Sequence, residues 1–384
     1  MNTLTPKMNE ILNVVHEQPF SILLPNYSYL VGVAGGIFLI WVVFVLLRKK
    51  MTSGLALALP MAVVFAIAGM VNVMVEVHQP GRLIYTYLYG WNYITTAFIK
   101  WAEFLLPLFI LFSWWMAMQT LRDSYRHEID AMTSVQQKLL DFFSLWSRHY
   151  SVFEHQHWRL PILLTALLLG LFPPMYSGLY LMAEHGISFW NTAIIPLLFL
   201  VTGVAAGAGC YLVLFPLFAK LAGMTAEEDL HAYAPILLIT SLLAGFLWIS
   251  YQWWLSHFGD ISGQRALEFF NTQYHSVIWL HWLIPGIIIP VVGLLFFSHQ
   301  RWMQILTGCC AIYAAYAIRF IIIIGGESLN RTGFGFKTFS PASHALSTTF
   351  TNLFLLLGLI ALFLWLFPFE KIVFSNKQKI AGTL

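Results

Sequence analysis

The sequence predicts an all-α integral membrane protein, a polytopic bundle of about nine transmembrane helices with its N-terminus outside and its C-terminus in the cytoplasm. Three observations carry that prediction. Of 384 residues, 59% are hydrophobic and only 10% are charged, whereas a water-soluble domain carries about 25% charged residues. The mean hydropathy is +0.73, and the apolar residues fall into runs long enough to cross a bilayer. Aromatic residues make up 16% of the chain, including 15 Trp and 16 Tyr, which suits a protein with two membrane–water interfaces to line.

A helix needs ~20 apolar residues to cross ~30 Å of hydrocarbon. Nine runs meet that length: Tyr27–Leu47, Leu55–Val75, Phe98–Met118, Leu160–Met182, Asn191–Ala219, Tyr233–Leu255, His275–Phe297, Met303–Ile324 and Ala345–Phe367. Arg48-Lys49-Lys50 ends the first, His78-Gln79-Pro80-Gly81-Arg82 follows the second, and Gly325-Gly326 predicts the stop of the eighth. The fifth run is long, and its Gly203, Gly207 and Gly209 read as a helix-packing seam. The chain, 1–384, reads as one membrane domain: a bundle over 27–367, a long cytoplasmic loop over 119–159 and a glycine-rich outer loop over 325–344. Within 119–159, Ile129, Met132, Val135, Leu139, Phe142, Phe143 and Trp146 recur at helical spacing among charged residues, which predicts an interfacial amphipathic helix. Met1 to Pro25 is mixed and polar, so no cleavable leader is expected.

Orientation follows from charge. Outside the spans, one side carries 13 Lys and Arg and the other carries 5, and the richer side is the cytoplasmic one. The net charge of +3 is small and forms no basic stripe, so no nucleic-acid partner is expected. Cys210, Cys309 and Cys310 lie in apolar runs without metal-ligand spacing. The cysteines are therefore expected to hold no iron–sulfur cluster, and no other metal and no haem is expected in the chain, since only His78 with His275 or His281 could pair as haem ligands.

Ionisable groups cost ~2.5–3.5 kcal/mol each at the centre of a membrane helix, so each calls for a reason. With helices two, four, six and eight running outward, the polar groups gather in the outer third. Glu76, His78 and Arg82 close helix two; Lys100 and Glu103 open helix three; Tyr176, with Ser177 and Gly178, lies in helix four; Arg319 lies near the end of helix eight. Lys100, Glu103 and Arg319 are each also long enough to snorkel to the headgroups. An acid, an imidazole and a guanidinium within one short mouth can bind a polar head and pass protons to water. A shallow, aromatic-walled pocket with these groups suits a quinone, whose tail partitions in lipid and whose redox step moves two protons with two electrons. Two other readings stay open: a haem b cytochrome, pairing His78 with His275 or His281, and a secondary transporter with its groups at a broken-helix site.

The segments Glu76-Val77-His78-Gln79-Pro80-Gly81-Arg82, Lys100-Trp101-Ala102-Glu103-Phe104-Leu105-Leu106-Pro107 and Pro174-Met175-Tyr176-Ser177-Gly178, with Arg319 in helix eight, resemble a known family. It is that of the NrfD-like, polysulfide-reductase-type integral membrane subunits of respiratory complexes, and within it the tetrathionate reductase membrane subunit is the nearest likeness. The resemblance implies a membrane anchor that oxidises menaquinol or ubiquinol in a bacterial inner membrane. It implies two kinds of partner, an iron–sulfur subunit and a periplasmic molybdopterin or multihaem enzyme. Carried over, Glu76 and His78 would handle protons, while Arg82, Glu103, Tyr176 and Arg319 would contact the quinone. In the polysulfide-reductase type a polar pair in helix one also contacts the quinone; here that stretch offers only Tyr27 and Ser28.

Overall fold

The computed structural model describes residues 20–47, 52–76, 81, 83–89, 91–93, 98–128, 133, 135, 137–138, 142, 156–187, 189–221, 230–259, 261–328 and 343–366. Among them, nine helices are long and apolar enough to cross a membrane. In chain order they are α1 (Leu23–Leu46), α2 (Ser53–Glu76), α3 (Phe98–Glu128), α4 (Gln156–Met182), α5 (Ile194–Leu212), α6 (Ala234–Phe258), α7 (His275–Phe297), α8 (Arg301–Ser328) and α9 (Ser343–Leu366). No strand occurs among the described residues. In lipid the backbone must satisfy its own polar groups, and a helix does so within one segment.

Helices α1, α2, α5 and α8 are the centre of the bundle, whereas α9 and α7 lie at its edge: 83% of α2's most apolar window is buried against 22% of α9's. The predicted glycine seam is present and extends across three helices. A Cβ at Gly36 of α1 would stand 2.0 Å from the Gly203 carbonyl oxygen of α5, and one at Gly209 of α5 would stand 2.6 Å from that of Gly308 in α8. Only a missing side chain lets these backbones approach so closely.

Three features depart from the sequence reading. The fifth run is two pieces, α5 and a short helix Leu214–Leu221, divided at Val213. Helix α3 extends through Glu128, about 46 Å at 1.5 Å per residue, so its last turns continue past the membrane; most of the expected amphipathic helix beyond it lies outside the described residues. Gly325-Gly326 does not stop α8, which continues through the buried Glu327 and Ser328, so the outer loop begins later than 325. The cause is packing: a Cβ at Gly326 would stand 2.1 Å from the indole nitrogen of Trp190, which donates to the Ile322 carbonyl at 2.9 Å. Arg331 and the rest of the loop fall outside the described residues.

Glu76, the start of α3 and the start of α1 meet at one end of the bundle, referred to below as the Glu76 end. The charge count predicts that this end faces outside. With a membrane-impermeant thiol reagent on spheroplasts, His185→Cys, exposed at the Glu76 end, is expected to label, and His299→Cys, exposed at the opposite end, to label only after permeabilisation. The reverse pattern would invert the topology.

Candidate functional site

Lys100 and Glu103 sit three residues apart in the first turns of α3, a spacing that puts both on one face. They do not snorkel. Lys100 Nζ lies 2.9 Å from Glu103 Oε2, with each side chain only 7% exposed. The same ammonium donates to the Tyr89 carbonyl at 2.7 Å and stands 5.2 Å from the centroid of the Trp91 ring. Tyr89 and Trp91, between α2 and α3, thus lie over the pair. The second carboxylate oxygen, Glu103 Oε1, is buried and has no hydrogen-bond partner among the described residues. Such an atom is costly to keep and calls for an explanation.

Two phenols face that carboxylate electrostatically, Tyr176 of α4 and Tyr87 of the short helix Leu83–Leu88. Tyr87 lies outside the spans; partial burial pushes its pKa above the ordinary phenol range, and the Glu103 carboxylate pushes it further. It is therefore a protonated hydrogen-bond donor at neutral pH. Tyr27 of α1 joins the group beside Tyr176. The surrounding wall is apolar: Val31, Ala102 and Leu106, with Leu24, Met70, Val73 and Phe172 packed against them.

Local sequence aims Tyr176 into this group. Pro174 fills the space left by Gly35, where a Cβ would stand 2.4 Å from the proline Cδ; Gly178 lies against Pro196 of α5; and the Ser177 and Ser28 hydroxyls are 2.6 Å apart. Those three residues pack against α1 and α5, and Tyr176, on another side of α4, enters the cluster that Tyr27 and Val31 of α1 form with Ala102 and Leu106 of α3. It is 5% exposed, with its ring 5.1 Å from that of Phe172.

Glu76 lies at the mouth and is engaged by the segment before α1. Its Oε1 accepts from the Ser21 backbone N–H at 2.8 Å, and its Oε2 accepts from the Ser21 hydroxyl. The carboxylate therefore ties the entrance of α1 to the exit of α2. His78 and Arg82, expected beside it, lie outside the described residues.

Arg319 is fully buried and is held by the centre of the bundle, with no route to the headgroups. Its Nε donates to the Ser28 carbonyl at 3.2 Å; Nη1 donates to Thr202 Oγ1 at 3.1 Å and the Ala315 carbonyl at 2.9 Å; Nη2 donates to the Phe199 carbonyl at 2.7 Å. The guanidinium carbon also stands 5.0 Å from the centroid of the Phe199 ring. Gly32 makes the room, since a Cβ there would stand 2.5 Å from Nη2. Arg319 thus joins α1, α5 and α8, reaching the tyrosine group only through Ser28 and its partner Ser177. His281, a candidate haem ligand by sequence, hydrogen-bonds the Tyr313 hydroxyl on the outward face of α7 and α8.

Tyr27 enters the sequence reading only as half of what the helix-one stretch offers, with Ser28, at the start of the first span. Tyr87 could be read only as one of several tyrosines in an aromatic-rich stretch.

Among the described residues, nine apolar helices with a buried acid and phenols near one end of the bundle define a multi-pass membrane protein. A family model described as "Polysulphide reductase, NrfD" matches residues 10–330. The chain belongs to that family. It is also similar to the "Protein NrfD homolog" of Haemophilus influenzae, at 25% identity over 163 residues that cover 40% of this chain and 48% of that protein. The chain thus spans about half the length of the curated relative it matches.

Proposed function

We propose that this chain is the quinol-oxidising membrane subunit of a respiratory reductase complex. Hydroquinone from the bilayer enters between α1, α3 and α4 and sets one hydroxyl against Glu103 Oε1. The observation that carries this reading is that unpartnered, buried carboxylate oxygen, paired on its other side with Lys100. Lys100 holds the other carboxylate oxygen of Glu103 at 2.9 Å, and a carboxylate oxygen facing a hydroxyl is a chemical proton acceptor. Tyr176, Tyr27 and Tyr87 supply hydroxyls to position the ring oxygens, and the apolar wall receives the ring.

Each hydroquinone loses two protons and two electrons on becoming quinone. Glu103 takes the first proton, passes it by way of Glu76 at the mouth and of His78 to water, and then takes the second by the same route. The electrons pass to an iron–sulfur partner docked at the Glu76 end, and from it to a catalytic subunit of the molybdopterin or multihaem class. Tetrathionate or polysulfide is the class of terminal acceptor that the sequence likeness suggests. With the Glu76 end facing the periplasm of a bacterial inner membrane, protons and electrons leave on the same side, and the step moves no net charge across the bilayer. The reverse reaction, quinone reduction, uses the same residues.

Tyr176→Phe tests the positioning role. Loss of one hydrogen bond, worth about 0.5–1.5 kcal/mol, is expected to raise the KM for quinol about threefold to tenfold. Turnover of the complex with a soluble dye donor should stay unchanged. An unaltered KM for quinol would remove Tyr176 from the site.

A further inference from the structure

A second polar site lies away from the tyrosine group, enclosed by α5, α6, α7 and α8. Its walls are small residues, Ala205, Ala244, Gly286, Ala311, Ala314 and Ala315, which leave a cavity admitting the centre of a water molecule over about 10 Å³. Three polar side chains line the same cavity: Thr202, Ser241 and Trp282. Ser241 and Trp282 are each 1% exposed, and neither the Ser241 hydroxyl nor the Trp282 indole N–H has a hydrogen-bond partner among the described residues. Thr202 donates its own proton to the Leu198 carbonyl at 2.8 Å and accepts from Arg319. A hydroxyl has two lone pairs, so its oxygen can accept once more.

Helix α7 is built to bring its indole here. Trp279–Ile288 is a π-helical segment with Pro285 inside it, a local widening that recurs at functional positions. Gly286 allows the indole to lie close, since a Cβ there would stand 2.8 Å from the ring. Two buried donors left unpaired would cost roughly 1–3 kcal/mol each. A water needs about 10–15 Å³ of such space and two to four polar partners; the cavity offers about 10 Å³ and three polar residues in its lining.

We propose that this cavity is a binding site for an ordered water, which accepts from the Trp282 indole N–H, pairs with the Ser241 hydroxyl and donates to Thr202. The water links the π segment of α7 to α6 and, through Thr202, to the Arg319 staple. It is independent of the quinol reading.

Radiolytic hydroxyl-radical labelling of the full chain in lipid nanodiscs tests it, because radicals form from bound water at buried positions. Trp282 is expected to gain oxygen, whereas Trp190, equally buried but bonded to a carbonyl, stays unlabelled. Ser241→Val, which removes the hydroxyl and fills the cavity, should reduce Trp282 labelling to the Trp190 level. Trp282 labelling no faster than Trp190 in the unaltered chain would overturn the proposal, and so would labelling that persists unchanged in a folded Ser241→Val chain.

Discussion

Glu103→Gln is expected to reduce quinol-driven turnover of the complex by about 10²-fold or more, the range found when a positioned general base is removed. The amide keeps the shape of the side chain and can still accept from Lys100, but it cannot take up a proton. Dye-driven turnover of the catalytic partner should be unchanged. Lys100 supplies the control for structure. Lys100→Met alone leaves a buried carboxylate without its ion-pair partner, a defect that costs about 3–5 kcal/mol. The double variant Lys100→Met/Glu103→Gln removes both charges, so it should regain stability while staying inactive with quinol. Stability restored together with quinol activity would mean that the pair is only a structural tie. Glu76→Gln should have the smaller effect, because both Glu76 oxygens are already engaged by Ser21.

Arg319→Met is expected to destabilise the bundle by roughly 1.5–3 kcal/mol, the scale of hydrogen bonds to a charged group, read as a lower thermal midpoint in detergent and poorer recovery of assembled complex. Replacing a buried charge with an apolar residue is often neutral, so geometry has to decide the sign. Here one side chain makes four hydrogen bonds to groups on three helices, and the glycine-lined space around it fits a planar fork. A linear apolar chain reaches none of those acceptors and leaves a void beside Gly32. Lysine keeps the charge but cannot reproduce the fork, so Arg319→Lys should fall between Met and the unaltered chain. A midpoint unchanged in Arg319→Met would show that Arg319 does not hold α1, α5 and α8 together.

The nine spans were legible in the sequence because lipid imposes a length and a composition on each helix independently, with no need to know its neighbours. Three-residue spacing within a helix fixes a shared face for Lys100 and Glu103, but the sequence reading takes each singly, as long enough to snorkel, and the ion pair is a finding of the structure. What could not be read was the meeting of residues across helices. Ser21 reaches Glu76 over 55 positions, and Ser28 reaches Arg319 over 291, contacts that depend on how helices pack. Gly325-Gly326 was misread for the same cause: a glycine pair that would end a helix in water here lets Trp190 approach α8. The break at Val213 gave no signal beyond an overlong apolar run. Position along the helices grouped Arg319 with Glu103 and Tyr176. Lateral position was not readable, and it separates Arg319 from them.

Photo-crosslinking with an azidoquinone in native membranes, followed by peptide mapping, measures where the redox carrier sits. Adducts are expected in the segments of α1, α3 and α4 that bear Tyr27, Glu103 and Tyr176, competed away by unlabelled quinone and diminished in Glu103→Gln. Adducts confined to the opposite end of the bundle, around Tyr233 and Gln304, would contradict a quinol site at the Glu76 end.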